Sequence, residues 1–182
     1  MRRPDSPIPQ AIRGFPPISR DDAEILILGS MPSEESLRAR QYYAHPRNAF
    51  WPIMTELLGG KADLDYEDRA QLLIKNRIAL WDTLKTCVRD GSLDSAIVDT
   101  SIEINDFKTF FQHHPKIRHI FFNGQKSRQV YSKYVLAELP EHLQAIDFSV
   151  LPSSSPAMAR LNRKQKTNEW RAVMHALNNT SG

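Results

Sequence analysis

A single cysteine, Cys87, stands in a chain of 182 residues, so no disulfide can close within it and no cysteine-held zinc or iron–sulfur site can be built from one copy. The seven glycines form neither a Gly-x-Gly-x-x-Gly fingerprint nor a P-loop, which argues against a nucleotide-binding α/β protein. Absent too are the His-x-Glu and Pro-Cys-x-x-Cys segments of a zinc nucleobase deaminase. No apolar run nears the roughly 18 to 20 residues that span a bilayer, and the N-terminus lacks the apolar core of a secretory signal. The expectation is a cytoplasmic, intracellular chain with no membrane partner. Charge of one sign is scarce: a net +3 permits a polyanionic partner without demanding one.

What is present is ordinary for a folded chain. Hydrophobic residues make up 41% and charged residues 25%, with eight Phe, five Tyr and three Trp, a balance that argues against disorder. The length suits one domain with a substantial core. Residues 1–20, with five prolines and several arginines, read as an extended arm that tucks one aromatic, Phe15, against the body; residues 21–182 read as a single α/β domain.

Glu24-Ile25-Leu26-Ile27-Leu28-Gly29 is a continuous apolar run ended by glycine, the pattern of a strand buried on both faces. A long polar loop follows. Phe50, Ile53, Met54, Leu57 and Leu58 then repeat at helical spacing before Gly59-Gly60, with Pro52 in the first turn and Asn48 as the expected N-cap. A second helix is expected over Tyr66–Lys75. Further buried strands are expected at 78–81, 117–122 and 146–151. Helical stretches run through Phe107, Phe110 and Phe111, over 125–136, and at the end through Trp170, Val173, Met174 and Leu177. Strands separated by helices predict a three-layer α/β/α sandwich around a short, mostly parallel sheet of about four strands. The ligand site should lie beyond the carboxyl ends of those strands.

That rule selects the polar segments after the strands. In order they are Gly29-Ser30-Met31-Pro32-Ser33, continuing to Gln41-Tyr42-Tyr43-Ala44-His45-Pro46-Arg47-Asn48-Ala49-Phe50-Trp51; then Phe122-Asn123-Gly124; then Leu151-Pro152-Ser153-Ser154-Ser155-Pro156. Together they resemble the uracil-DNA glycosylase superfamily and, within it, the hypoxanthine-DNA glycosylase branch, over about residues 29–170. The resemblance implies a monofunctional repair glycosylase that works without metal or cofactor. Its partner is DNA containing a deaminated base, hypoxanthine favoured; the sequence shows no obligatory protein partner, and a monomer is the expectation. It flips the base out, water cuts the N-glycosidic bond, and an abasic site remains.

The superfamily often places a catalytic Asp or Asn two positions beyond its first Gly, where this chain has Met31. The resemblance moves the water-positioning role to Asn48 and gives base reading to Asn123, whose amide both donates and accepts, with Ser30 and Met31 beside the base. Phe50 is the first choice for a ring stacking on the base and Tyr43 the second. Ser153, Ser154 and Ser155 are expected to meet phosphates and Met158 to act as a wedge. Arg160, Arg163 and Lys164, with Lys166 and Arg171, add a basic cluster beside them. Many relatives open this last loop with His; Leu151 stands there, so any stabilisation of the leaving base by that His must be absent or supplied elsewhere.

Each role has a structural alternative: Asn48 as helix cap, Asn123-Gly124 as a turn, Phe50 as core, the serines as an ordinary loop and the basic cluster as a solvated face. His45, Asp82, Arg89 and Asp94 fit the branch pattern without an assigned role. Two functional readings compete, a uracil or mismatched-thymine glycosylase of the same superfamily and a noncatalytic DNA-binding relative.

Overall fold

The apolar run 25–28 divides its side chains between two cores. Ile25 and Ile27 face one layer of helices, Leu26 and Leu28 the other, and all four are fully buried. A strand covered on both faces has no polar side to show, which is why its sequence does not alternate.

The computed structural model describes residues 10–179, and residues 1–9 of the expected arm lie outside them. In chain order the elements are β1 (Ile12–Arg13), β2 (Ile25–Gly29), α1 (Glu34–Ala39), α2 (Phe50–Leu57), α3 (Tyr66–Lys75), β3 (Ile78–Asp82), β4 (Leu84–Cys87), β5 (Glu103–Ile104), α4 (Phe107–His113), β6 (His119–Asn123), α5 (Gln125–Val130), α6 (Glu141–Gln144), β7 (Asp147–Leu151) and α7 (Arg163–Asn178). Short 3-10 turns add to these. The main sheet has the order β3-β2-β6-β7 with every pair parallel. Helices α2, α3 and α7 cover one face through Phe50, Ile53, Leu73, Trp170 and Val173. Helix α4 and the segment after β6 cover the other through Phe107, Phe110, Phe111, Tyr131 and Val135. Each such large side chain contributes roughly 1.5–3 kcal/mol by leaving water. The expected three-layer α/β/α sandwich on a four-stranded parallel sheet is the observed fold. Among the described residues no helix is long and apolar enough to cross a membrane.

Four details differ from the sequence reading. Within the expected arm, Gln10 to Arg20 is woven into the fold. Its β1 pairs antiparallel with β4, Ile18 bridges to Leu80, and the Phe15 carbonyl accepts from Trp81 Nε1 at 3.1 Å while its ring meets Tyr42 edge-on at 5.2 Å. A second sheet, β1-β4-β5, is too short to register as periodicity. The long polar loop contains α1, whose start is signalled by Ser33 capping the Ser36 amide and by Glu34 and Glu35 in its first turn. Finally, the helix expected over 125–136 is α5 followed by a π-helical turn over Tyr131–Val135 and a 3-10 turn. There Ser132 Oγ donates to the Arg128 carbonyl at 2.8 Å, a bond that competes with the helical ladder.

Candidate active site

In register, Gly29 lies beside Asp82 and Asn123 beside Leu151, so the four parallel strands finish level on those residues. Above Gly29, Asp82 and Asn123 opens a cleft of about 320 Å³. Its walls are the segment 30–33, Tyr42, Tyr43 and Asn48 on one side, Ser92, Leu93 and Asp94 on another, and Ser153 to Ser155 with Met158 on a third. This is the carboxyl-end position where open α/β sheets bind ligands. A larger hollow of about 750 Å³, between Phe15, Trp81, Phe107 and Leu139, shares no lining residue with the cleft.

Asn123, 8% exposed, is held by Ser154 through two hydrogen bonds. The Ser154 amide donates to Oδ1 at 2.8 Å and Nδ2 donates to Ser154 Oγ at 2.9 Å. A backbone N–H can only donate, so the atom facing it must be Oδ1, and the orientation of the amide is fixed. Gly124, at φ +90°, completes the turn with Ser153 Cβ 3.1 Å from where its own Cβ would stand, so it must be glycine. Asn123-Gly124 is thus a turn and the cleft floor at once.

Asn48 also does two things. It lines the cleft, and its Oδ1 accepts from the Phe50 amide at 2.9 Å. The N-cap position of α2 belongs to Ala49, one residue later than expected, and Asn48 serves the helix from outside it. The Ala49 amide in turn donates to the Ser154 carbonyl at 3.0 Å, tying this segment to the loop that holds Asn123. His45 closes the turn before Asn48, accepting from the Arg47 amide through Nδ1, and does not line the cleft.

Two expected contacts, those of Phe50 and Ser154, are corrected by the packing, and Met31 divides itself between the cleft and the core. Phe50 has no exposed surface and stands behind Tyr43, ring on ring at 4.2 Å, so it cannot stack on a base; Tyr43 is the ring at the cleft. Met31 borders the cleft, but its side chain packs with Leu84, Cys87, Ile97 and Val130. Ser154, 1% exposed, gives its amide and hydroxyl to Asn123 and braces that residue instead of facing a phosphate. Ser153, Ser155 and Met158 remain at the cleft, and Arg160, Arg163 and Lys164 are exposed just beyond it. Lys166 leaves the basic cluster: it is buried, and its Nζ donates to the Ser155 carbonyl at 3.0 Å.

The residues without a role now have surroundings. Arg89 donates to the carbonyls of Gly91, Met31 and Pro32, clamping the segment after β2 to the loop after β4. Asp94 accepts from Ser30 Oγ at 2.6 Å, which commits the Ser30 hydroxyl hydrogen while Ser30 still lines the cleft, and burial raises the Asp94 carboxyl above its ordinary range. Asp82 is different. It is 3% exposed, its Oδ2 has no hydrogen-bond partner, and burial followed by the nearby Asp94 pushes its carboxyl up to about 7 against the opposing pull of Arg89. The Tyr43 hydroxyl, also buried and without a partner of ordinary geometry, lies against Asn123 and Asp82 and is held well above the usual phenol range by burial. A Cβ on Gly29 would strike Asp82 Oδ1 at 2.5 Å and the Tyr43 hydroxyl at 2.8 Å, so only glycine fits between them. Sequence reading passed over Leu93, an apolar side chain 56% exposed at the cleft mouth, because one leucine in a polar loop carries no periodic signal. Among the described residues no group of three or more His, Cys, Asp or Glu is arranged to hold a metal ion.

The profile of the Uracil DNA glycosylase superfamily matches residues 16–177. A Hypoxanthine DNA glycosylase of Methanosarcina acetivorans is 43% identical over 164 residues, 88% of this chain and 96% of the relative. One from Methanosarcina barkeri is 36% identical over 158 residues, 85% of this chain and 93% of its own length. The solution NMR structure of a Methanosarcina acetivorans protein carrying the uracil DNA glycosylase name superposes with a TM-score of 0.76 at 40% identity, covering 93% of this chain and 99% of that one.

Proposed function

The chain belongs to the uracil DNA glycosylase superfamily, and from that premise we propose that it removes hypoxanthine from DNA by receiving the flipped nucleotide over Gly29, Asp82 and Asn123. Its activity is that of a DNA glycosylase for deaminated bases.

The observation that carries the choice of base is the half-spent amide of Asn123. Ser154 uses one lone pair of Oδ1 and one hydrogen of Nδ2, which leaves the amide one further lone pair to accept with and one further hydrogen to donate. Hypoxanthine presents the complement, an N1–H to give and O6 to receive. Adenine presents the reverse, an N1 that accepts and an amino group that donates, and a fixed amide leaves such a base with unpaired groups. Uracil matches the same pattern through N3–H and O4, so it is the second reading, with ring size and stacking on Tyr43 as the discriminants.

The reaction is dissociative. As the glycosidic bond stretches, the sugar gains oxocarbenium character and the base leaves under the hydrogen bonds of the cleft floor. Water held by the Asn48 amide captures C1′. The Phe50 amide fixes that side chain, so it needs no reorganisation during the reaction. Among the described residues no lysine lines the cleft, so a Schiff-base step has no nucleophile there and the product is an abasic site. Flanking phosphates meet Ser153, Ser155, Arg160, Arg163 and Lys164. Met158 and Leu93, from opposite loops at the mouth, fill the gap in the stack. The chain works as a monomer on this reading.

The test is base release, with metal chelated, from duplexes identical except for a single hypoxanthine, uracil or xanthine, using the wild type and Asn48→Ala. Preferential release of hypoxanthine, lost in the folded variant, is the expected result. Preferential uracil release transfers the substrate, and no release from any duplex with DNA still bound leaves the noncatalytic reading.

A further inference from the structure

Leu151 stands where many superfamily members carry the His that stabilises the leaving base, and it is buried. Electron density from the breaking bond must then be drawn off by another group. Among the cleft residues, Asn123 can accept the load at O6 only as a neutral donor. Tyr42 is bonded to the Pro16 carbonyl, and Ser30 is spent on Asp94. Among the described residues, Asp82 is the one side chain of the cleft floor with a carboxyl oxygen left unpartnered, and it is almost wholly buried.

We propose that Asp82, as the neutral acid, donates its proton to N7 of the flipped purine while the bond from C1′ to N9 breaks. The proposal rests on the hypoxanthine reading above. With the N1–H and O6 edge on Asn123, two ring acceptors remain, N3 and N7. N7 lies beside O6 and shares the five-membered ring with N9, so a proton there withdraws electrons directly from the breaking bond. The balance is simple: the electron pair of the C1′–N9 bond passes into the ring, N7 takes the proton, and the base leaves neutral. Water adds its oxygen to C1′ and releases one proton to solvent, and one proton from solvent restores Asp82. Uracil has no N7, so the same acid sharpens the preference for a purine.

The surroundings keep the proton in place near neutrality. Asp94, from the turn after β4, adds negative charge; Tyr42 and Tyr43, from the loop before α2, are neutral. Among the described residues Arg89 is the cation facing Asp82, and its guanidinium is committed to the carbonyls of Gly91, Met31 and Pro32. None of these groups forms an ion pair that holds Asp82 in its charged form, and burial carries its ionisation to about 7.

The experiment is single-turnover release from a hypoxanthine duplex and from its 7-deaza analogue, from about pH 5.5 to about pH 9, with the wild type and Asp82→Asn. The wild-type rate should fall above about pH 7. The analogue, or the variant, should cost about 100-fold at pH 6 and abolish that limb, and combining them should cost little more. Duplex affinity should be unchanged throughout. A wild-type profile flat across the range, a limb that persists in the folded variant, or a 7-deaza duplex cleaved as fast as its parent overturns the acid role. The analogue needs no variant, so a misfolded Asp82→Asn leaves the test intact. Failure of the wild type to release any base overturns the glycosylase reading beneath it, a result visible separately.

Discussion

Asn123 and Ser154 exchange two hydrogen bonds, 2.8 Å and 2.9 Å long, across the tips of adjacent parallel strands. The amide proposed to read the base is therefore set in the free protein. Asn123→Ala should lower kcat/KM for hypoxanthine by about 100-fold or more, since it leaves the base edge unpaired. Ser154→Ala removes the bond from Nδ2 and keeps the one from the backbone amide, so the orientation of Asn123 persists and the loss is about 10-fold. Steady-state kinetics on one duplex compares the two, and Ser154→Ala should keep its discrimination against adenine because the backbone amide still faces Oδ1.

Asn48 carries a helix bond and, on the proposed reading, a water site, and two substitutions separate them. Asn48→Ala should cost about 1 kcal/mol of stability, because the Phe50 amide loses its acceptor, and should abolish most base release. Asn48→Asp keeps an oxygen for that amide. Thermal melting should then match the wild type, with a rate well above that of the alanine variant.

Phe50 and Tyr43 are stacked at 4.2 Å, with Tyr43 toward the cleft. Phe50→Ala should destabilise the fold by about 3–5 kcal/mol, visible in denaturant melts, because it opens a cavity under α2. Tyr43→Phe removes a buried hydroxyl without a hydrogen bond of ordinary geometry, so its stability should equal or exceed that of the wild type.

Asp82 makes stability depend on pH in a stated direction. Its ordinary value is 3.8 and its folded value about 7, so between them the folded chain binds the extra proton. Stability from this group is complete below about pH 4 and falls as pH rises through about 7, by up to ~1.4 kcal/mol per pH unit. Asp82→Asn should melt above the wild type near pH 8 and lose that advantage near pH 4. A constant difference across that range would mean that Asp82 does not titrate in this window.

Arg160, Arg163 and Lys164 lie exposed beyond the wedge loop. Changing each to Gln should weaken duplex binding at every sequence and reduce the slope of log affinity against log salt by about 0.9 for each phosphate that is no longer neutralised. Leu93→Ala and Met158→Ala should leave the slope unchanged while slowing base release, which separates charge from wedge.

The layers were legible because apolar residues recur where the physics of burial requires them. The run 25–28, the stripe through Phe50, Ile53, Met54 and Leu57, and the phenylalanines of α4 each announce their element. The candidate site was legible only as segments. Nothing in the order of residues shows that Ser154 would turn inward to Asn123, that Phe50 would stand behind Tyr43, or that Lys166 would brace a carbonyl, because these depend on how distant strands finish level. Asp82 stood out in the sequence only as part of the branch pattern, without a role. Its significance comes from being buried without a partner, a property of the assembled fold alone.

Helix α7 fastens the loop that holds Asn123 at both of its ends, through Trp170 Nε1 to the Pro152 carbonyl at 3.0 Å and Lys166 Nζ to the Ser155 carbonyl at 3.0 Å. On the ribosome, where chains emerge from the N-terminus, Asn123 on β6 is made well before the helix that fastens its loop. On the reading proposed above, base selectivity is complete only once α7 has been made, because that helix fastens the loop carrying Ser154.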